Sequence, residues 1–258
     1  MIKLGACAKI TQLECIKSLG YDYAEFALNA TSKWSDEEFE AAKDALKRTQ
    51  LRAEVFNGFC SSDLRLSHDV DTDAIRAYCQ MALPRAERLG CEILVVGSGG
   101  ARKFPEGIAP SEAKENFKRA LCTIADVASE HGIKVAIEPL NRKETNLANT
   151  VAETAAICEE IGREDVGFIA DLFHVYKNGE DLADITTYGE HILHAHIARR
   201  NDDRHIPCKE DAADLTEFLA ALQNAKQCKR MSLEGKFHPD FESAVQEFYE
   251  LWATVTKN

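Results

Sequence analysis

Residues 91–141, "CEILVVGSGGARKFPEGIAPSEAKENFKRALCTIADVASEHGIKVAIEPLN", decide the fold of this chain. They open with a short apolar, β-rich run, turn through glycines, pass into a long amphipathic stretch and close on a second apolar run. In the middle stretch Phe117, Leu121, Ile124, Ala125 and Ala128 recur at i, i+4, i+7, i+8 and i+11, the spacing of one helix face. Ser111 is the expected cap at its start, and Gly132 ends it. Two strands joined through such a helix lie parallel, because a parallel pair needs a long crossover.

Working outward, the same unit recurs. Short β-rich runs stand at 2–8, 21–28, 52–60, 91–99, 134–141, 166–174, 192–198 and 230–237, with helical stretches between them, including 150–162 and the closing "FESAVQEFYELWATV". Eight βα units in 258 residues, with no Pro/Ser-rich linker to divide them, predict one domain over residues 1–258. The expected architecture is α/β, a single (β/α)8 TIM barrel; a doubly wound sheet is the weaker alternative.

The bulk numbers exclude several functions. A content of 45% hydrophobic and 29% charged residues is that of a globular chain. The net charge of −12 disfavours nucleic acid and anionic membranes, whose phosphates are gripped by clustered Lys and Arg. The N-terminal "MIKLGACAKITQLECIKSLG" lacks a signal-peptide core, and no run approaches the roughly 18 apolar residues of a membrane span. A soluble, cytoplasmic protein is expected. Nine cysteines without a C-x-x-C pair read as reduced thiols packed as small hydrophobes.

In a βα barrel the chemistry lies where strands end. The fifth run delivers Glu138 just before Pro139, the sixth Asp171 and His174, the seventh His194 and His196 with the same parity, and the eighth Glu234. A buried carboxylate is costly without a partner, and four strand ends bring Glu, Asp, His and Glu to one depth. Mixed carboxylate and imidazole donors suit a divalent metal ion. A metal-free acid–base site using the same carboxylates is the alternative, although three close acids would retain protons at neutral pH without a cation. Glu25 either supports the site from the second strand or pairs with a buried base. The Gly-rich 97–107 lacks the spacing of a P-loop or dinucleotide fingerprint and reads as a substrate-lining loop.

These residues, in this order, resemble the xylose isomerase-like barrel superfamily, and within it the ketose 3-epimerases of the D-tagatose/D-psicose type, over essentially the whole chain. Glu138, Asn141, Arg142 and Glu144 match the fifth-strand pattern, Asp171, Phe173 and His174 the sixth, His194 and His196 the seventh, and Glu234 the eighth. The resemblance implies one divalent metal held by Glu138, Asp171, His196 and Glu234, with Mn2+ first and Mg2+, Co2+ or Zn2+ as alternatives. It implies substrate contacts from Glu144 and His174, and a homodimer or homotetramer. The chain departs from the pattern after the seventh strand: where the epimerases carry a substrate-gripping Arg stands Asp202, and the acid usual three residues after the His is Arg199. Arg200 and Arg204 are the candidates for the missing guanidinium.

The implied reaction is epimerisation or isomerisation of a ketose or keto-sugar. The metal acts as a Lewis acid, and Glu138 and Glu234 form the acid–base pair that removes and returns the proton through an enediolate. A β-leaving group on the substrate would make the same barrel a lyase of the C-glycoside deglycosidase kind. AP endonuclease IV shares the barrel, and Asp203, His205 and His68 offer donors for that reading, which the acidic charge opposes. A non-catalytic partner subunit is the third class.

Overall fold

The computed structural model describes residues 2–201 and 203–256. The eight runs become eight strands: β1 Lys3–Cys7, β2 Tyr23–Ala27, β3 Ala53–Asn57, β4 Ile93–Val96, β5 Lys134–Ile137, β6 Val166–Asp171, β7 Ile192–Ile197 and β8 Arg230–Leu233. They pair in parallel in chain order and close into a barrel, with β8 returning to β1 through Leu4↔Met231 and Ala6↔Leu233. Helices follow each strand and wrap the outside, as parallel closure requires.

Strand alternation divides the core in two. Tyr23, Val55, Ile93, Val95, Ala136, Ile169 and Leu193 pack inside the barrel. Their strand neighbours, among them Leu94, Val96, Val135, Ile137 and Phe168, face outward into the larger layer shared with the helices. All five residues of the periodic stripe from Phe117 to Ala128 are buried there. Burial of each large side chain is worth roughly 1.5–3 kcal/mol. Tyr23 fills the axis, donating to or accepting from Ser232 at 2.8 Å, over Gly5, where a Cβ would collide with its ring.

Two boundaries differ from expectation. The helix Pro110–Glu130 starts one residue before Ser111, with Ala109 at the cap and no side-chain cap bond. Pro110 replaces the cap of Ser111, since its fixed φ suits the first helical position and it has no N–H to satisfy there. The sixth strand ends at Asp171, and a short helix, Leu172–Asn178, begins at once with the Asp171 carboxylate accepting from the His174 amide at 3.1 Å. His174 is therefore helical. Gly132, at φ 67°, ends the long helix as expected.

One irregularity aims side chains at the mouth. Between β6 and β7 the register passes from Phe168↔Ile192 to Ile169↔His194, so Leu193 is an extra residue. Gly167 makes room for it, a Cβ there colliding with the His191 carbonyl. Beyond this bulge, His194 and His196 both face the axis. All nine cysteines are free. Among the described residues no helix is long and apolar enough to cross a membrane.

Candidate metal centre

Glu138 follows β5, Asp171 ends β6, His196 is the fifth residue of β7 and Glu234 follows β8. One donor atom from each lies within 4.8 Å of the other three. His196 Nδ1 stands 3.5 Å from Glu138 Oε1, 3.7 Å from Glu234 Oε2 and 3.9 Å from Asp171 Oδ2. Space for the first carboxylate comes from Gly97, where a Cβ would strike Glu138. Glu138 Oε1, His196 Nδ1 and His174 Nε2 are all buried without a hydrogen-bond partner and lie at this one point. Such orphans are rare in a native interior, and a set of two Glu, one Asp and one His fits a divalent cation.

Glu25 resolves into its supporting reading. Fully buried, it accepts from His196 Nε2 at 2.8 Å and from His194 Nε2 at 3.1 Å. With Nε2 turned toward Glu25, His196 directs Nδ1 at the carboxylate cluster, the arrangement by which outer carboxylates orient ligating imidazoles. His194 is thus tied to Glu25 and is not a member of the four-residue cluster. The signal for this was the shared parity of two histidines opposite a lone acid on an apolar strand.

His174 reaches the same point from the short helix, with Nε2 3.8 Å from both Glu138 and Asp171. Its Nδ1 accepts from the Asn141 backbone at 3.2 Å and side chain at 3.0 Å, and Asn141 also donates to Glu144 at 2.7 Å. Glu144 is exposed at the end of that chain.

The two arginines separate. Arg204 sends its guanidinium into the cluster, 3.0 Å from Asp171 and in contact with Glu234, while stacking over Phe173 at 4.9 Å. Its loop is clasped to the turn after β8: Lys236 donates to the Arg204 carbonyl at 2.7 Å, and Ile206 donates to the Lys236 carbonyl at 3.1 Å. Arg200 is not brought to the cluster, because Asp214 at 2.6 Å and the Tyr176 ring at 4.0 Å hold it on the outer shell. Asp202 lies outside the described residues. Neither His68, bonded to Arg65 and Ser67, nor His205, stacked on His238 at 4.9 Å, belongs to any cluster of three metal-binding side chains among the described residues.

The electrostatics follow from burial against charge. Burial alone would raise the Glu138 carboxyl, but His196, His174 and Arg204 outweigh it and hold it at about 2. Burial lifts Glu234 to about 7, Glu138 and Asp171 adding to the rise against Arg204 and His196. Burial works against ionisation of Glu25 too, yet His196 and His194 hold it well below the usual carboxylate range.

A cavity of about 440 Å3 opens beside the cluster over the ends of β1, β2 and β3, lined by Cys7, Lys9, Glu25, Asn57 and Phe237. Larger clefts, of about 570 and 690 Å3, lie on the outer shell at Tyr176 and at the barrel floor beside Lys134 and Gln227. Their walls hold none of the four clustered donors, so chemistry rather than size locates the site.

Residues 13–251 match the family described as xylose isomerase-like TIM barrel. The chain belongs to this family. It is 30% identical over 210 residues to the L-ribulose 3-epimerase of Methylomonas sp., covering 79% of this chain and 70% of the relative. It is 27% identical over 203 residues to the D-psicose 3-epimerase of Agrobacterium fabrum, covering 76% and 69%. The solved 3-keto-D-glucoside 4-epimerase of E. coli superposes over 100% of both chains with a TM-score of 0.80 at 19% identity, a likeness of fold. Within the xylose isomerase-like barrel, the clustered acids of this chain stand where β5, β6 and β8 end, and its imidazole lies near the end of β7.

Proposed function

We propose that this chain is a divalent-metal-dependent ketose epimerase or isomerase, with Glu138, Asp171, His196 and Glu234 holding the ion and Mn2+ its first candidate. The observation that carries the reading is the meeting of unpartnered Glu138 Oε1 and His196 Nδ1, 3.5 Å apart, among buried carboxylates. The relatives named as ketose 3-epimerases support the substrate class. A bound divalent ion supplies Lewis acidity toward a carbonyl oxygen and offsets the carboxylate charge.

The protein's own groups account for the proton chemistry. Glu138, held ionised, takes the proton from the carbon next to the ketose carbonyl, and the electron pair moves to the carbonyl oxygen as an enediolate forms. Glu234 is the second carboxyl of the pair and returns a proton to carbon from the other side. No electrons are lost. Return to the opposite face inverts C3, and the two carboxyls then exchange states through the substrate hydroxyls. His174, fixed by Asn141 and through it by Glu144, is placed to bond a substrate hydroxyl. Arg204 is the guanidinium in reach of a substrate oxygen, and Arg200 is left out of the grip.

The test is hydrogen exchange. Protein loaded with Mn2+ and incubated with D-psicose in D2O should place deuterium at C3, as read by NMR, and chelation should stop it. Exchange that persists unchanged after complete metal removal, or that Glu138→Gln leaves intact, overturns the assignment.

A further inference from the structure

The Gly-rich turn after β4 contains a residue that the proposed chemistry does not use. Arg102 is 0% exposed, one of the largest fully buried side chains in the protein. Among the described residues no carboxylate lies within ion-pair distance of it, which is unusual for a buried guanidinium. Its Nη2 donates to the Glu138 main-chain carbonyl at 2.6 Å, its Nη1 to the Val96 carbonyl at 3.4 Å, and its Nε has no partner. The Phe117 ring lies 5.7 Å away on the helix side.

Filling this space needs no charge. A Met or Leu would pack on Phe117 without the desolvation cost of a guanidinium. What an apolar side chain cannot do is hold Glu138. That residue has just left β5; its N–H still bonds to the Val96 carbonyl at 3.2 Å, and the next residue is Pro139. Arg102 thus grips both sides of the last β4–β5 bond. The turn that carries it is itself pinned, since Ser98, at φ 36°, donates to the Cys60 carbonyl at 3.2 Å and accepts from the Cys60 amide at 3.0 Å. Gly97, in the same turn, bounds the carboxylate of Glu138 from the other side.

We propose that Arg102 is a positioning residue for the acid–base site, fixing the Glu138 backbone from behind the barrel so that its carboxylate enters the cluster at one place. The proposal rests on the reading of Glu138 as ligand and base. Arg102→Met removes the charge and both bonds while keeping an apolar rod, and Arg102→Lys keeps the charge and one bond.

The experiment measures kcat and KM for deuterium exchange into D-psicose, together with the visible absorption of the Co2+-substituted protein. Arg102→Met is expected to lower kcat about 100-fold, the cost of displacing a catalytic group by an ångström, with KM changed less than about threefold. Its Co2+ bands should shift, and Arg102→Lys should recover about tenfold in kcat. A folded Arg102→Met protein with the wild-type Co2+ spectrum and rate overturns the proposal. Should Arg102→Met fail to fold, Arg102→Lys decides: a tenfold loss with shifted bands supports positioning, and wild-type values overturn it. Failure of the underlying reading is distinct, because the wild-type protein itself would then bind no Co2+ at the cluster.

Discussion

The two ends of the barrel treat acids in opposite ways. At the floor, Glu54 meets Lys3 at 2.8 Å and also Arg230, while Glu92 meets Arg52 at 3.1 Å and the same Arg230, so the acids there are matched by bases. At the mouth, the carboxylates of Glu25, Glu138, Asp171 and Glu234 crowd one guanidinium, that of Arg204, and three imidazoles. Matched charges hold a structure together at modest net gain, whereas an excess of one sign creates demand for a further cation. The floor pairs its acids with bases, and the mouth leaves its acids in excess.

The largest expected effect breaks the two ends apart. Glu138→Gln should lower deuterium exchange by about 10³-fold with the fold intact by circular dichroism, while Glu54→Gln at the floor should leave exchange within about threefold. Equal losses in both would erase the distinction. Next, within the mouth, His196→Ala should weaken Mn2+ binding by more than 100-fold, and His194→Ala only about tenfold, since it touches the ion's ligand through Glu25 alone. Equal weakening in a titration would place both imidazoles on the ion.

A smaller effect sharpens the floor. Glu54→Ala leaves Arg230 short of a partner and should cost about 1–3 kcal/mol of unfolding free energy in urea, with Mn2+ affinity unchanged. The smallest effect lies outside both ends, at Glu180, which burial raises to about 7 even though it accepts from the Val151 amide at 2.7 Å. The folded protein then holds a proton that the unfolded chain releases near pH 4.5. This contribution to stability is full below that pH and is lost as pH rises through about 7. Glu180→Gln should flatten the decline between pH 5 and 7, measured by denaturant unfolding, and an unaltered slope would remove Glu180 as its source.

Much of this was legible in the residues because strand ends announce themselves. Glu138 before Pro139, Asp171 at the end of an apolar run and the paired parity of His194 and His196 are local signals that a parallel barrel converts into proximity. The misreadings were also local. Ser111 resembled a cap, but Pro110 started the helix first, and His174 read as strand although Asp171 had already capped the next helix. Arg200 and Arg204 were indistinguishable in sequence, since only the clasp between the loops after β7 and β8 turns one inward and leaves the other on Asp214. Arg102 carried no signal at all: burial of a charged residue in a Gly-rich turn depends on the backbone of a different strand, and no spacing rule records that.

Whether the mouth is one divalent-ion site is measured by calorimetric titration of Mn2+ into chelator-stripped protein. One ion should bind per chain, and binding should be lost in His196→Ala and Glu138→Gln. Absence of binding, or binding that survives both substitutions unchanged, would contradict it.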